Sequence, residues 1–293
     1  GAPYLLRIVT RPMSIGSERE FTCMRIAAEA GAAPRVWYTN TDGRLSITDF
    51  VDEAPLPPAD APVIMARMLR AVHELPAFPA GIAHLDTTCM FLMREGPARD
   101  GFFEKIRATT VLSKQELGEF FSWHAELAAL YDRLEPDLVS SHNDLFKPDN
   151  ILFDGERVWL VDWEASFLND RYADLAVLAN LVAPNEPQES IYLREYFGYE
   201  PDAYQRARFF LTQQIGHMFY TMAFLLFGGS PETSQKVPEF AEMQRRLWSR
   251  ETRLIGNARS LYGRVHWERL AGNMRGRRFE EAARIVSCRN RPA

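Results

Sequence analysis

The run SHNDLFKPDNILFDGERVWLVDWEAS at 141–166 constrains this chain more than any other stretch. Two short apolar segments, ILF (151–153) and VWLVDW (158–163), flank Asp154-Gly155-Glu156-Arg157, whose Asp-Gly pair supplies the backbone freedom of a tight β-hairpin turn. The polar residues gather outside the strands: His142 and Asp144 before them, Asn150 at the entrance of the first, Asp162 at the exit of the second. An antiparallel hairpin brings entrance and exit together, so Asn150 and Asp162 are predicted neighbours. An amide oxygen and a carboxylate there form a hard-oxygen pair of the kind Mg2+ takes, with phosphate and water oxygens filling the rest of its shell. Asp144, in the preceding loop, is placed to orient an acceptor hydroxyl or take its proton. A metal at the phosphates and a carboxylate at the acceptor are the requirements of phosphoryl transfer.

The bulk composition narrows the alternatives. With 293 residues, 46% hydrophobic and 25% charged, the chain can form one large domain or two lobes. A net charge of −5 and a pI near 5.8 exclude a general nucleic-acid binder, while 34 Lys and Arg leave room for a local basic pocket. Cys23, Cys89 and Cys288 form no CxxC pair, which argues against a disulfide framework or structural zinc and for a reducing cytoplasm. The most apolar run, MFYTMAFLLF (218–227), is too short to span a bilayer and reads as a buried helix, so no membrane insertion is expected. His73, His84, His124, His217 and His266 lack metal-ligand spacing, and the serines at 140–141 lack the GxSxG setting of a hydrolase.

Along the chain, PYLLRIV (3–9) reads as a strand and SEREFTCMRIAAEAG (17–31) as a helix ending at Gly31. RVWYTN (35–40) and RLSITDFV (44–51) form a hairpin across TDG, and APLPPAD (54–60) is a linker. Helical periodicity follows at 61–75 and 113–134, and helices dominate from about 172. The expected class is α+β: a small β-rich part, 1–54, and a large mainly helical part, 55–293, containing one β-hairpin.

SHNDLFKPDNIL together with LVDWEAS resembles the catalytic and metal-binding segments of the kinase-like small-molecule phosphotransferases, the group that holds the choline/ethanolamine kinases and the aminoglycoside phosphotransferases. His-Asn-Asp-Leu and Asp-Trp-Glu point to the choline kinase branch. The resemblance implies a protein-kinase-like two-lobe fold using ATP and Mg2+. It implies Asp144 as the catalytic residue with His142 supporting its loop, Asn150 and Asp162 as metal ligands, and Arg7 at the α/β-phosphates paired with Glu20 on the following helix. It further implies Asp49, Phe50 and Val51 beside the adenine, Asp174 in NDRYADLA as a structural acid, and Glu164 and Tyr220 on the acceptor side.

Three departures from the family pattern stand out. Asp144 and Asn150 are six positions apart, one more than usual. The Gly-rich hairpin that precedes the Arg7 strand is missing from this sequence, which implies either a truncated chain or weaker nucleotide binding. On the late helix GHMFYTMAF (216–224), Tyr220 and Ala223 stand where tryptophans hold choline, at a cost of up to about 2 kcal/mol of cation–π attraction. The expected activity is transfer of the ATP γ-phosphate to a small amino alcohol, choline or ethanolamine first. An aminoglycoside or other small metabolite as acceptor, or a kinase-fold protein that binds without turnover, are the alternatives.

Overall fold

The computed structural model describes residues 3–10, 17–79, 90–93, 95–108, 110–131, 134, 137–228 and 236–289; His84 and Cys89 lie outside them. In chain order the elements begin β1 (Tyr4–Ile8), α1 (Ser17–Glu29), β2 (Val36–Asn40), β3 (Leu45–Asp49), α2 (Ala61–His73), α3 (Pro97–Ala108) and α4 (Lys114–Tyr131). They continue with β4 (Leu138–Ser141), β5 (Ile151–Phe153), β6 (Val158–Leu160), β7 (Phe167–Asp170), α5 (Arg171–Val182) and α6 (Glu186–Phe197). The chain closes with α7 (Ala203–Phe227), α8 (Phe240–Trp248), α9 (Asn257–Met274) and α10 (Arg277–Arg289). The class is α+β, as the sequence predicts. Two compact units form: Gly1–Leu85 with Pro136–Tyr199, and Asp86–Glu135 with Glu200–Ala293. Strands give way to helices near residue 54, but the compact units run across that point.

In the first unit, β1, β3 and β2 form an antiparallel sheet in that order, with Tyr4 opposite Asp49 and Arg7 opposite Ser46. The predicted β2–β3 hairpin forms; Asn40 closes its turn by accepting Gly43 N at 2.6 Å. Pro62 sits in the first turn of α2, where a missing N–H costs nothing, and Ala61, Met65, Ala66, Leu69, Val72 and His73 form its buried stripe. The β5–β6 hairpin forms with Ile151 opposite Leu160. Its turn is organised by Asp154, which accepts from Glu156 N, Arg157 N and Trp159 Nε1, while Gly155 takes φ +97.

One β-hairpin is too few for this region. β4 and β7 pair antiparallel, Leu138 opposite Asp170 and Ser141 opposite Phe167, enclosing the hairpin segment between them. Asp170 ends β7 and caps α5 by accepting Tyr172 N at 3.1 Å.

In the second unit, α7 is buried nearly all round, as a central helix must be. Its start carries a capping box between Asp202 and Gln205. α9 lies close against it: a Cβ on Gly263 would stand 2.9 Å from Leu225 Cγ. The apolar run 218–227 falls on α7, and among the described residues no helix is long and apolar enough to cross a membrane. α3, not anticipated in the 76–112 stretch, packs Phe103 against Phe121 and His124 of α4.

Candidate functional site

The β5–β6 register fixes the centre of the site. With Ile151 opposite Leu160 and Val161 N donating to Asn150 O at 3.0 Å, Asn150 and Asp162 end on the two sides of the hairpin's open end. The extra residue in FKPDN is absorbed by a turn at Leu145–Phe146 and a single 3-10 turn, Pro148–Asn150, which leaves Asp149 exposed and Asn150 buried. Asn150 Nδ2 donates to the Asp144 carbonyl at 2.9 Å and to Asp144 Oδ2 at 3.1 Å. Its side-chain oxygen Oδ1 accepts no hydrogen bond among the described residues.

Asp162 leaves the hairpin in the left-handed region, φ 66 and ψ 60, a conformation that costs a non-glycine residue on the order of 1–3 kcal/mol. Arg7 on β1 donates Nη2 to Asp162 Oδ1 at 2.8 Å and ion-pairs through Nη1 with Glu20 on α1. Glu20 is 1% exposed; burial pushes its carboxyl above the ordinary value, with Arg7 opposing. Arg7, Glu20 and Asp162 thus form one contact chain.

Asp144 is buried, which raises its carboxyl; the ammonium of Lys147, 2.6 Å from Oδ2, opposes that rise. The loop beneath it is pinned by Asp174 on α5. That carboxylate accepts Ser141 Oγ at 2.6 Å, His142 N at 2.8 Å and Asn143 N at 2.8 Å, with His73 Nε2 at 3.4 Å. Burial alone would raise Asp174, but His73, Ser141 and His142 outweigh it and hold it below the usual value. His142 is buried against Trp163 and donates Nε2–H to Val161 O at 3.0 Å, fastening the 142–144 loop to the exit of the hairpin. Burial lowers its pKa, with the nearby carboxylates of Asp174 and Asp144 opposing.

Several residues that sequence reading passed over complete this frame. Asn143 takes φ 67 and donates Nδ2 to Ala165 O at 3.0 Å, while its Oδ1 accepts Asn169 Nδ2 at 3.1 Å. Arg19 on α1 donates to the carbonyls of Ser166 (2.6 Å) and Glu164, gripping the turn after Asp162. Only the Asn in the odd HNDL tetrapeptide, a residue that tolerates the left-handed region, offers a signal in the sequence.

Asp49 ends β3 and accepts Trp37 Nε1 at 2.6 Å; Phe50, half exposed, and Val51 follow it in irregular chain. Glu164 sits in the 3-10 turn Trp163–Ala165. Tyr220 belongs to α7 of the second unit, where its ring is buried near His266, Phe224 and Tyr262. Among the described residues no group of three or more His, Cys, Asp or Glu is arranged to hold a metal.

Comparison with known proteins agrees with this fold. A choline/ethanolamine kinase family protein from Mesorhizobium loti is similar with a TM-score of 0.71 at 20% identity, covering 97% of this chain and 87% of its own. Choline kinase from Cryptosporidium parvum gives 0.62 at 13% identity, covering 97% and 85%. An ADP-bound aminoglycoside phosphotransferase gives 0.53 at 14% identity, covering 90% and 88%. At these identities the likeness is one of fold, and no curated protein matches the chain. The model of the phosphotransferase enzyme family matches residues 1–210, well over half of the 293, and the chain belongs to that family.

Proposed function

We propose that this small-molecule kinase transfers the γ-phosphoryl group of ATP to the hydroxyl of an amino alcohol, choline or ethanolamine ahead of an aminoglycoside. The observation that carries the reading is the orientation of Asn150. Its amide nitrogen is spent on Asp144, which leaves its side-chain oxygen Oδ1 without a hydrogen bond among the described residues, on a residue that the hairpin register sets across the open end from Asp162. Arg7 occupies one Asp162 oxygen and leaves the other. An amide oxygen and a carboxylate oxygen are the few hard donors that Mg2+ takes from protein, so the residues fit that ion. Bound there, Mg2+ supplies neutralising charge to the transferring phosphates.

The chain's own residues do the rest. Arg7, held by Glu20, carries positive charge toward the leaving diphosphate, and Asp144 orients the acceptor hydroxyl and receives its proton. His142 and Asp174 hold the loop while this happens. Asp49, Phe50 and Val51 are the candidates beside the adenine, and Glu164 and Tyr220 those on the acceptor side. The amino alcohols come first because the two relatives of higher TM-score are named for choline or ethanolamine. Cys23 and Cys288 are free thiols, in keeping with a reducing cytoplasm.

The test is ADP release from Mg·ATP across choline, ethanolamine, other amino alcohols and aminoglycosides, with Asp144→Asn beside the unaltered protein. One acceptor class should raise the rate, and the variant should lose about 10²–10⁴-fold, the worth of a positioned proton acceptor. Equal rates would remove Asp144 from its role. Failure of the unaltered protein to bind Mg·ATP would favour a binding protein without turnover.

A further inference from the structure

Asp144 and Lys147 flank the two-residue turn Leu145–Phe146, and the turn folds the lysine back onto the aspartate. Lys147 Nζ donates to Asp144 Oδ2 at 2.6 Å, and Asn150 Nδ2 donates to the same oxygen at 3.1 Å. The Phe146 ring centroid stands 5.2 Å from that ammonium. The two oxygens of the carboxylate are therefore unequal: Oδ2 holds two donors, and Oδ1 holds none among the described residues.

This inequality has a chemical consequence. The terminal torsion of an aspartate is broad and roughly two-fold, so a carboxylate held only by its backbone does not choose which oxygen faces outward. The Asn150 bond is a neutral amide donation. The Lys147 bond joins two full charges at a shorter distance, from an ammonium 42% exposed to a carboxylate whose side chain is only 8% exposed. It is thus unlike a surface ion pair, in which water competes at both ends.

We propose that Lys147 is a positioning residue for the acceptor step: by pinning Oδ2 of Asp144 together with Asn150, it presents Oδ1 to the acceptor hydroxyl. This rests on the reading of Asp144 as the acceptor-side carboxylate. Misplacement of a reacting group by about 1 Å costs on the order of 10²-fold in rate, which sets the scale of the effect.

The experiment compares Lys147→Met and Lys147→Arg with the unaltered protein in the ADP-release assay, varying ATP and acceptor separately, and solves the crystal structure of each. Lys147→Met should lower kcat/KM for the acceptor about 10–100-fold and leave KM for ATP within about twofold. Lys147→Arg, which keeps a cation within reach of Oδ2, should recover most of the loss. Unchanged acceptor kinetics in Lys147→Met would overturn the proposal, as would a loss carried by KM for ATP. Should the unaltered protein turn over no acceptor, the proposed function fails separately, and the crystal structures then decide the role of Lys147. A rotated Asp144 carboxylate in Lys147→Met, restored in Lys147→Arg, supports it; an unmoved carboxylate overturns it.

Discussion

In the first compact unit, charge is buried: Glu20, Asp144, Asp170, Asp174 and Glu189 are all carboxylates shielded from water. In the second, among the described residues, no carboxylate is buried; the interior polar groups include His124, His217 and His266, Thr221 and Gln244. His217 and His266 meet Nδ1 to Nδ1 at 2.9 Å within rings of Phe240, Tyr220 and Tyr262. A buried charge is costly unless it is paired and hydrogen-bonded. The first unit therefore surrounds its carboxylates with donors: three for Asp174 from the backbone and side chain of a single loop, two for Asp144, and a guanidinium for Glu20. Among the described residues, buried carboxylates are confined to the unit that carries the candidate chemistry. The helical unit buries imidazoles, amides and hydroxyls and one guanidinium, Arg208.

The sharpest way to break this contrast is at Asp174. Asp174→Ala leaves the Ser141 hydroxyl and the His142 and Asn143 amides without their acceptor inside a buried site. Each buried donor left without an acceptor costs about 1–3 kcal/mol, so the loss should be about 3 kcal/mol or more. Urea unfolding monitored by tryptophan fluorescence should show a loss of that size. A loss below about 1 kcal/mol would mean that the loop does not depend on this carboxylate, and the contrast between the units would lose its strongest member.

The hairpin that carries the site is legible in sequence because every signal for it is local: alternation, an Asp-Gly turn and polar residues at both ends. The pairing of Asn150 with Asp162 follows from strand geometry alone. What closes the site is not local. β4 and β7 are four-residue strands, LVSS and FLND, poor in strand-forming residues and stabilised by a partner far along the chain. Arg19 reads as a solvated helix charge until Glu164 and Ser166 arrive beside it. Lys147 reads as the ordinary surface lysine of a loop, and only the turn before it turns it toward Asp144. α3 escapes because Gly96, Pro97 and Gly101 are breakers by composition, although Pro is tolerated in a helix's first turn.

Acid should separate the two units next. Desolvation holds His217 well below the ordinary imidazole range, His266 down to about 3, and His124 also below its usual value. An unfolded imidazole titrates near 6.5, so as pH falls below about 6.5 the unfolded chain takes up protons that the folded unit refuses, and stability is lost. For His266 alone, the fall from about pH 6.5 to about pH 5 is worth roughly 2 kcal/mol. In the first unit His142 pulls the same way. Glu20 and Asp144, both raised by burial, act in the opposite sense, because the folded state takes up their protons first and acidification relieves their burial. Asp174, held low, loses its contribution only below the ordinary carboxylate range, near 4. Hydrogen exchange at pH 7 and pH 5, corrected for intrinsic rates, should show protection falling more in α7 and α9 than in β4, β7 and α5. The reverse order would place the acid-sensitive charges in the wrong unit.

The smallest effect expected sharpens the comparison from the other side. Arg264 on α9 donates to Glu116 at the start of α4 at 2.9 Å, and both side chains are partly exposed, 24% and 22%. Glu116 is not left idle by the loss of this partner, since its other oxygen accepts Ser113 N at 2.7 Å. Burial raises its carboxyl, but Ser113 and Arg264 outweigh that and hold it below the usual value. Water can reach both ends of the pair, so its Coulomb energy is screened and the entropy of holding two long side chains offsets much of the gain. Arg264→Ala should therefore cost about 1 kcal/mol or less, and 1 M salt should shrink the difference further. A cost approaching that of Asp174→Ala would show that the helical unit also depends on a desolvated ion pair, and the contrast in buried carboxylates would no longer separate the two units.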